Sequence, residues 1–156
     1  MIVRATGPRG SLGVESRAWR NRNPGNLRIR TTKPPVDHVA VDNSPGGPFG
    51  IYGSECDGWA DLTARILQLY RNGSTTCAQI INVWAPPADH NDTHSYATGV
   101  AVALGVHVHD PINPSRLSVM RGLARAIQRQ EGKRNDPAWD MGEFEAGLLL
   151  GGCGHE

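Results

Sequence analysis

Apolar and polar positions divide the chain near residue 55. Before it, Gly, Pro and Asn interrupt every apolar run, which predicts loops and short strands. Within this part, residues 30–48 read as a weak hairpin or extended excursion in which Val39 and Val41 alternate with polar neighbours. After Glu55 the period changes to three and four. Trp59, Leu62, Ile66, Leu69 and Tyr70 form one stripe that Asn72-Gly73 stops. Thr75 or Thr76 caps a shorter helix to Val83, which ends before Pro86. Asp92 or Thr93 caps another, with Ala97, Val100, Ala101 and Leu104 inward and Gly105 at its end. Asn113-Pro114 carries the N-cap and first-turn Pro of a helix to about Gln130, with Leu117, Met120, Leu123, Ala124 and Ile127 on one face. Asp136-Pro137 repeats that start signal for a last helix through Phe144 and Leu148. Helices after a small β excursion predict a single α+β, mostly α domain over 1–156, with 1–16 as a flexible leader.

Composition narrows the function classes. Only 38% of residues are hydrophobic, while 19 Gly and 11 Pro call for long, functional loops. A net charge of +1 without a basic run or interleaved aromatics excludes a nucleic-acid footprint. No apolar run reaches the length of a membrane span, so no membrane insertion is expected. Met1 to Leu12 lacks the apolar core of a secretory signal. Cys56, Cys77 and Cys153 are odd in number and widely spaced, which suits synthesis in a reducing cytosol with at most one disulfide after export. A Cys nucleophile is disfavoured, because Cys56 and Cys77 fall in predicted helices.

The densest chemistry lies in Arg20-Asn21-Arg22-Asn23-Pro24-Gly25-Asn26-Leu27-Arg28. Asn and Gly accept positive φ and Pro fixes φ, so this is a specific multi-turn loop. Its primary amides both donate and accept hydrogen bonds, which suits a hydroxyl- and N-acetyl-rich glycan. A tight turn capped by its own Asn side chains is the competing reading.

A second segment, Trp84-Ala85-Pro86-Pro87-Ala88-Asp89-His90-Asn91-Asp92-Thr93 with Tyr96 beyond it, adds to this loop. Together they resemble a family of phage and prophage peptidoglycan-degrading proteins with a lysozyme-like fold. Its members read roughly RGIRNNNPGNIR, F-x-x-F-x-S-x-E-x-G-x-R-A, WAPPxENDTxxY and a helix ending in E-N-G. Arg17 to Arg28 resembles the first element. Phe49, Tyr52, Ser54, Glu55, Gly58 and Ala60 resemble the second, Trp84 to Tyr96 the third and Glu131-Gly132 the last. His90 stands where the family has an acid, in a loop one residue longer, and Lys133 departs from the last motif. The resemblance implies cleavage of peptidoglycan between N-acetylmuramic acid and N-acetylglucosamine, by a muramidase or lytic transglycosylase with no cofactor. The expected substrate-binding residues are Asn23 and Asn26 from the amide loop, Tyr52 beside it, and Asn91, Asp92 and Thr93 from the resemblance. The resemblance further implies a monomer reaching the cell wall by release, injection or virion delivery, with an immunity protein as partner if it is a secreted toxin. A non-catalytic glycan-binding or virion structural module on the same fold is the alternative.

Glycan cleavage needs a carboxylic acid that stays protonated near neutral pH, which a partly buried helix end facing a cleft supplies. Glu131 ends the best-patterned helix, with Gly132 as its cap; a solvated helix-end acid is the bland alternative. Glu15 is the rival, because Glu15-Ser16 lies upstream of the Asn-rich motif as in flagellar-type glucosaminidases and lytic transglycosylases. Glu55 ranks third, since an acid suits a helix N-terminus anyway. Asp92 reads first as an N-cap and second as a catalytic carboxylate. His90, His94, His107 and His109 carry a minority reading as ligands of a metal-dependent amidase. Among the aromatics, Trp84 is expected in the core, while Tyr52 and Trp19 are expected at the cleft.

Overall fold

A computed structural model describes residues 2–10, 13–30 and 36–154. It is an α+β structure, mostly α: helices α1 (Arg17–Arg20), α2 (Glu55–Arg71), α3 (Cys77–Trp84), α4 (Thr93–Leu104), α5 (Leu117–Glu131) and α6 (Met141–Leu150), with strands β1 (Ala40–Asp42) and β2 (Phe49–Ile51). The strands pair antiparallel with Val41 opposite Gly50. A 3₁₀ turn, Pro87–Asp89, links α3 to α4. The hairpin expected over 30–48 begins later and closes on β2, while residues 31–35 lie outside the described residues.

Each predicted stripe is the buried face of its helix. Trp59, Leu62, Ile66, Ile80, Val100, Met120, Leu123 and Ile127 have no exposed surface. α2 runs through the centre. Trp59 meets Trp139 edge-on at 5.4 Å and Phe144 at 4.6 Å, which joins α2 to α6 through aromatic edges. The expected caps form at Thr76 and Asp92, whose side-chain oxygens accept the amides of Gln79 and Ser95, and Ser54 caps α2 in the same way by accepting the Asp57 amide.

Two predicted starts move. Asn113 turns its side chain on Ser115, so α5 begins at Leu117 with Arg116 as a cap lacking a side-chain hydrogen bond. The Asp136 carboxylate accepts the amides of Ser16 and Lys133, leaving Asp140 to cap α6. α1 is a helix the pattern misses, because four residues are too few to show a period; the Ser16 hydroxyl, accepting the Trp19 amide, supplies its start. The stretch read as a leader is tied to the body. Arg4 pairs with Asp57 at 2.6 Å, Arg9 with Glu55 at 2.7 Å, and the Ala5 amide donates to Gly53.

Candidate active site

One cleft gathers the unusual chemistry of the chain. The Asn-rich loop contributes Gly25 to Arg28, α1 contributes Arg17, α3 ends at it with Trp84, and α5 ends at it with Glu131. Asp89 and Asn91 line it from the loop before α4, and its volume is about 380 Å³.

Packing on glycine sets the loop against the body. A Cβ on Gly58 of α2 would run into the Arg22 carbonyl, and one on Gly25 would lie 2.6 Å from the Trp84 ring. Trp84 then donates its indole N–H to the Gly25 carbonyl at 3.2 Å. Asn23 holds the loop from inside. It is fully buried; its Nδ2 donates to the Leu27 and Gly50 carbonyls at 2.9 and 3.0 Å, and its Oδ1 accepts the Leu27 amide at 2.8 Å. Asn26, three residues on, stands at φ 48° and turns the other way. Its Oδ1 accepts from Arg17 Nε at 3.3 Å, and its side chain hydrogen-bonds the Glu131 carboxyl.

Glu131 is half-buried at the C-terminal end of α5. Burial raises its pKa above the ordinary carboxylate value, opposed by hydrogen bonds from Tyr96 and Asn26 and by the charges of Arg17 and Arg28. The Tyr96 hydroxyl donates to Oε2 at 2.8 Å. Burial, then the Glu131 charge, raises the pKa of Tyr96 itself, so it stays a neutral donor. Arg17 lies 3.8 Å over the Phe49 ring, and Arg28 pairs with Asp89 at 2.9 Å.

Of the residues picked from sequence, Glu131, Asn26 and Asn91 line this cleft. Asn23 is a scaffold beneath it. Glu15 is buried beside α1 and is not among the lining residues. Tyr52 is also buried; its hydroxyl donates to Asp61, and burial raises its pKa. The aromatic assignment is corrected at Tyr52, which is buried away from the cleft, whereas Trp84 packs half-buried against the core as expected and also lines the cleft. Trp19 lies under the Arg9 guanidinium, 4.1 Å from its ring centre. Asp92 caps α4, accepting from Ser95 N and Oγ at 3.1 and 2.9 Å, and these bonds lower its pKa. Thr93 donates its hydroxyl to the Ala85 carbonyl at 2.5 Å, closing the Trp84–Thr93 loop. Glu55 accepts from Arg9 and from the Asp140 amide.

His90, His94, His107 and His109 are all exposed, and among the described residues no three His, Cys, Asp or Glu side chains group as metal ligands would. Cys56, Cys77 and Cys153 are buried without a disulfide, and burial pushes the Cys56 and Cys77 thiols up, away from nucleophilic thiolate. Among the described residues no helix is long and apolar enough to cross a membrane. The sequence reading missed the partnership of Tyr96 with Glu131 and the roles of Arg17, Arg28 and Asp89. An Arg at each end of the Asn-rich motif was the one available signal. No protein-family model matches the chain, and no curated protein matches its sequence.

Proposed function

We propose that the protein cleaves peptidoglycan glycan strands, on a lysozyme-like arrangement, with Glu131 as general acid. The observation that carries this reading is the half-buried Glu131 carboxyl, its pKa raised, at the wall of a cleft lined by amides, guanidiniums and an indole. Desolvation extends the protonated form toward neutral pH, where it can pass its proton to a glycosidic oxygen. Tyr96 donates to Oε2 and, with Asn26, orients the carboxyl. Trp84 offers an apolar surface to a sugar ring, and Asn26 and Asn91 offer amides to its hydroxyl and N-acetyl groups. Glu131, once ionised, takes a proton from the group that attacks the anomeric carbon, either water or the muramoyl 6-hydroxyl.

Asp89, the other carboxylate lining the cleft, is engaged by Arg28. A single carboxyl outside an ion pair among the described lining residues favours attack by the 6-hydroxyl of the substrate over the two-carboxylate hydrolytic route. Digestion of purified peptidoglycan with mass analysis of the products tests this. 1,6-Anhydromuramoyl ends support the transglycosylase route, and reducing muramic acid ends convert the reading to a muramidase. Freed peptides point to an amidase instead. Intact strands that stay bound point to a glycan-binding module, and either of the last two results refutes the glycosidic reading.

A further inference from the structure

The lining of the cleft also carries an unbalanced pair of cations. Arg30, just beyond the Asn-rich loop, and Arg65, in the middle of α2, both line it. Arg30 Nη2 pairs with Asp61 Oδ1 at 2.8 Å, and the other Asp61 oxygen accepts the Tyr52 hydroxyl. Both oxygens of that carboxylate are thereby engaged. Arg65 donates to the neutral Gln68 Oε1 at 2.7 Å, and no described carboxylate forms an ion pair with it. Burial, and then the positive charge of Arg30, push the pKa of Arg65 below its ordinary value. Arg30 Nε is buried with no hydrogen-bond partner. Arg17, in the same cleft, donates to the neutral Asn26, Ser44 and Pro45. A cleft built for a neutral polysaccharide has no use for this excess. Two half-buried guanidiniums sharing one occupied carboxylate are relieved by an incoming anion, and the planar fork of Arg suits a carboxylate.

We propose that Arg65 and Arg30 seat a carboxylate carried by the glycan strand, so that the protein selects carboxylate-bearing muramoyl strands over neutral N-acetylglucosamine polymers. This rests on the reading of the cleft as a glycan site. A volume of about 380 Å³ is at the small end for a ligand site, so the carboxylate lies close to the bond held at Glu131. Two groups carry that chemistry there: the muramic acid lactyl carboxyl, free once the peptide is removed, and the carboxyls of an attached stem peptide.

The test measures binding of soluble strands to the Glu131→Gln protein by calorimetry, and cleavage of the same strands by the native protein. Peptide-bearing and peptide-stripped strands are compared, each before and after amidation of their carboxyls, beside a chitooligosaccharide. Amidation should weaken binding roughly ten- to a hundredfold, the loss expected for a charge-assisted hydrogen bond. An effect confined to stripped strands assigns the lactyl carboxyl, and one confined to peptide-bearing strands assigns the peptide; both support the seat. In the Glu131→Gln background, Arg65→Gln should abolish the amidation effect and Arg65→Lys should keep part of it. Arg129→Gln, a matched charge loss outside the cleft, should leave the effect whole. Equal binding of amidated and unmodified strands overturns the seat, as does an Arg65→Gln loss that is the same for both at unchanged melting temperature. Full cleavage by Glu131→Gln would instead overturn the acid assignment, and the amidation series would still decide the arginine seat.

Discussion

Asn23 and Asn26 lie three residues apart in one motif, and the structure gives them opposite work, so substituting each should separate stability from activity. Asn23→Ala removes three buried hydrogen bonds to the backbone. The Leu27 amide loses its side-chain acceptor, at a cost of about 1–3 kcal/mol for an unpaired buried donor. The Gly50 and Leu27 carbonyls lose one donor each, roughly 1 kcal/mol apiece, although Leu27 O still accepts from Gly50 N at 3.1 Å. A total of about 3–5 kcal/mol is a large share of a typical domain stability, and in a chain of this size it lowers Tm on the order of 10 °C. Asn26→Gly is the matched variant. Glycine accepts φ 48° without strain, so only the half-buried amide disappears, and Tm should move by no more than about 2–4 °C. Its cost should instead fall on turnover, since the amide that braces Glu131 and meets Arg17 is gone. The assay is a thermal melt followed by circular dichroism, beside release of label from peptidoglycan at a temperature where both variants are folded. Unchanged Tm in Asn23→Ala would refute the scaffold argument. Full turnover in Asn26→Gly would refute the placement of that amide at the site.

Glu131→Gln should reduce cleavage by about 10²–10⁴ while the melt stays close to native; substantial residual turnover would remove Glu131 from the mechanism. Tyr96→Phe deletes a donor that favours the ionised carboxylate, so the Glu131 pKa rises further. Cleavage depends on the protonated form, so the alkaline limb of the pH–rate profile should move to higher pH; a shift to lower pH contradicts the assignment. Asp92→Ala should lower Tm slightly and leave cleavage nearly intact. Because the cap lowers the Asp92 pKa, the stability gap should be present at neutral pH and close as pH falls through the carboxylate range; a gap that persists in acid argues against capping. Activity should survive EDTA, and loss with EDTA reversed by zinc would move the chemistry to the histidines.

The helices after Glu55 were readable because apolar period and capping residues are local properties, and both point the same way along each helix. Glu131 could be picked for the same reason, as the last residue of a strongly periodic helix with Gly132 behind it. Starts were less readable where one side chain had two local uses: Asn113 bonds Ser115 and Asp136 bonds Ser16, each instead of capping a helix.

Residue type and spacing alone thus determined an α+β chain, a loop of primary amides and a short set of candidate acids. Tertiary contacts decided which of these face solvent. Asn23 and Asn26 are chemically identical, yet Asn23 turns inward onto the Leu27 and Gly50 backbone while Asn26, at φ 48°, turns into the cleft, in a loop packed closely on Gly58 and Gly25. Tyr52 leaves its expected place and Trp84 adds one because burial depends on what covers each ring: Tyr52 is buried against Asp61, and Trp84 packs on the core and stops against Gly25 with one side left to the cleft. The raised pKa of Glu131 needs the burial that surrounding elements impose, against which Tyr96 from another helix and Asn26 from another loop act, and the cation pair needs Arg30 beside Arg65. These are long-range juxtapositions, and desolvation and Coulomb energy depend on distance in space, which no local pattern encodes.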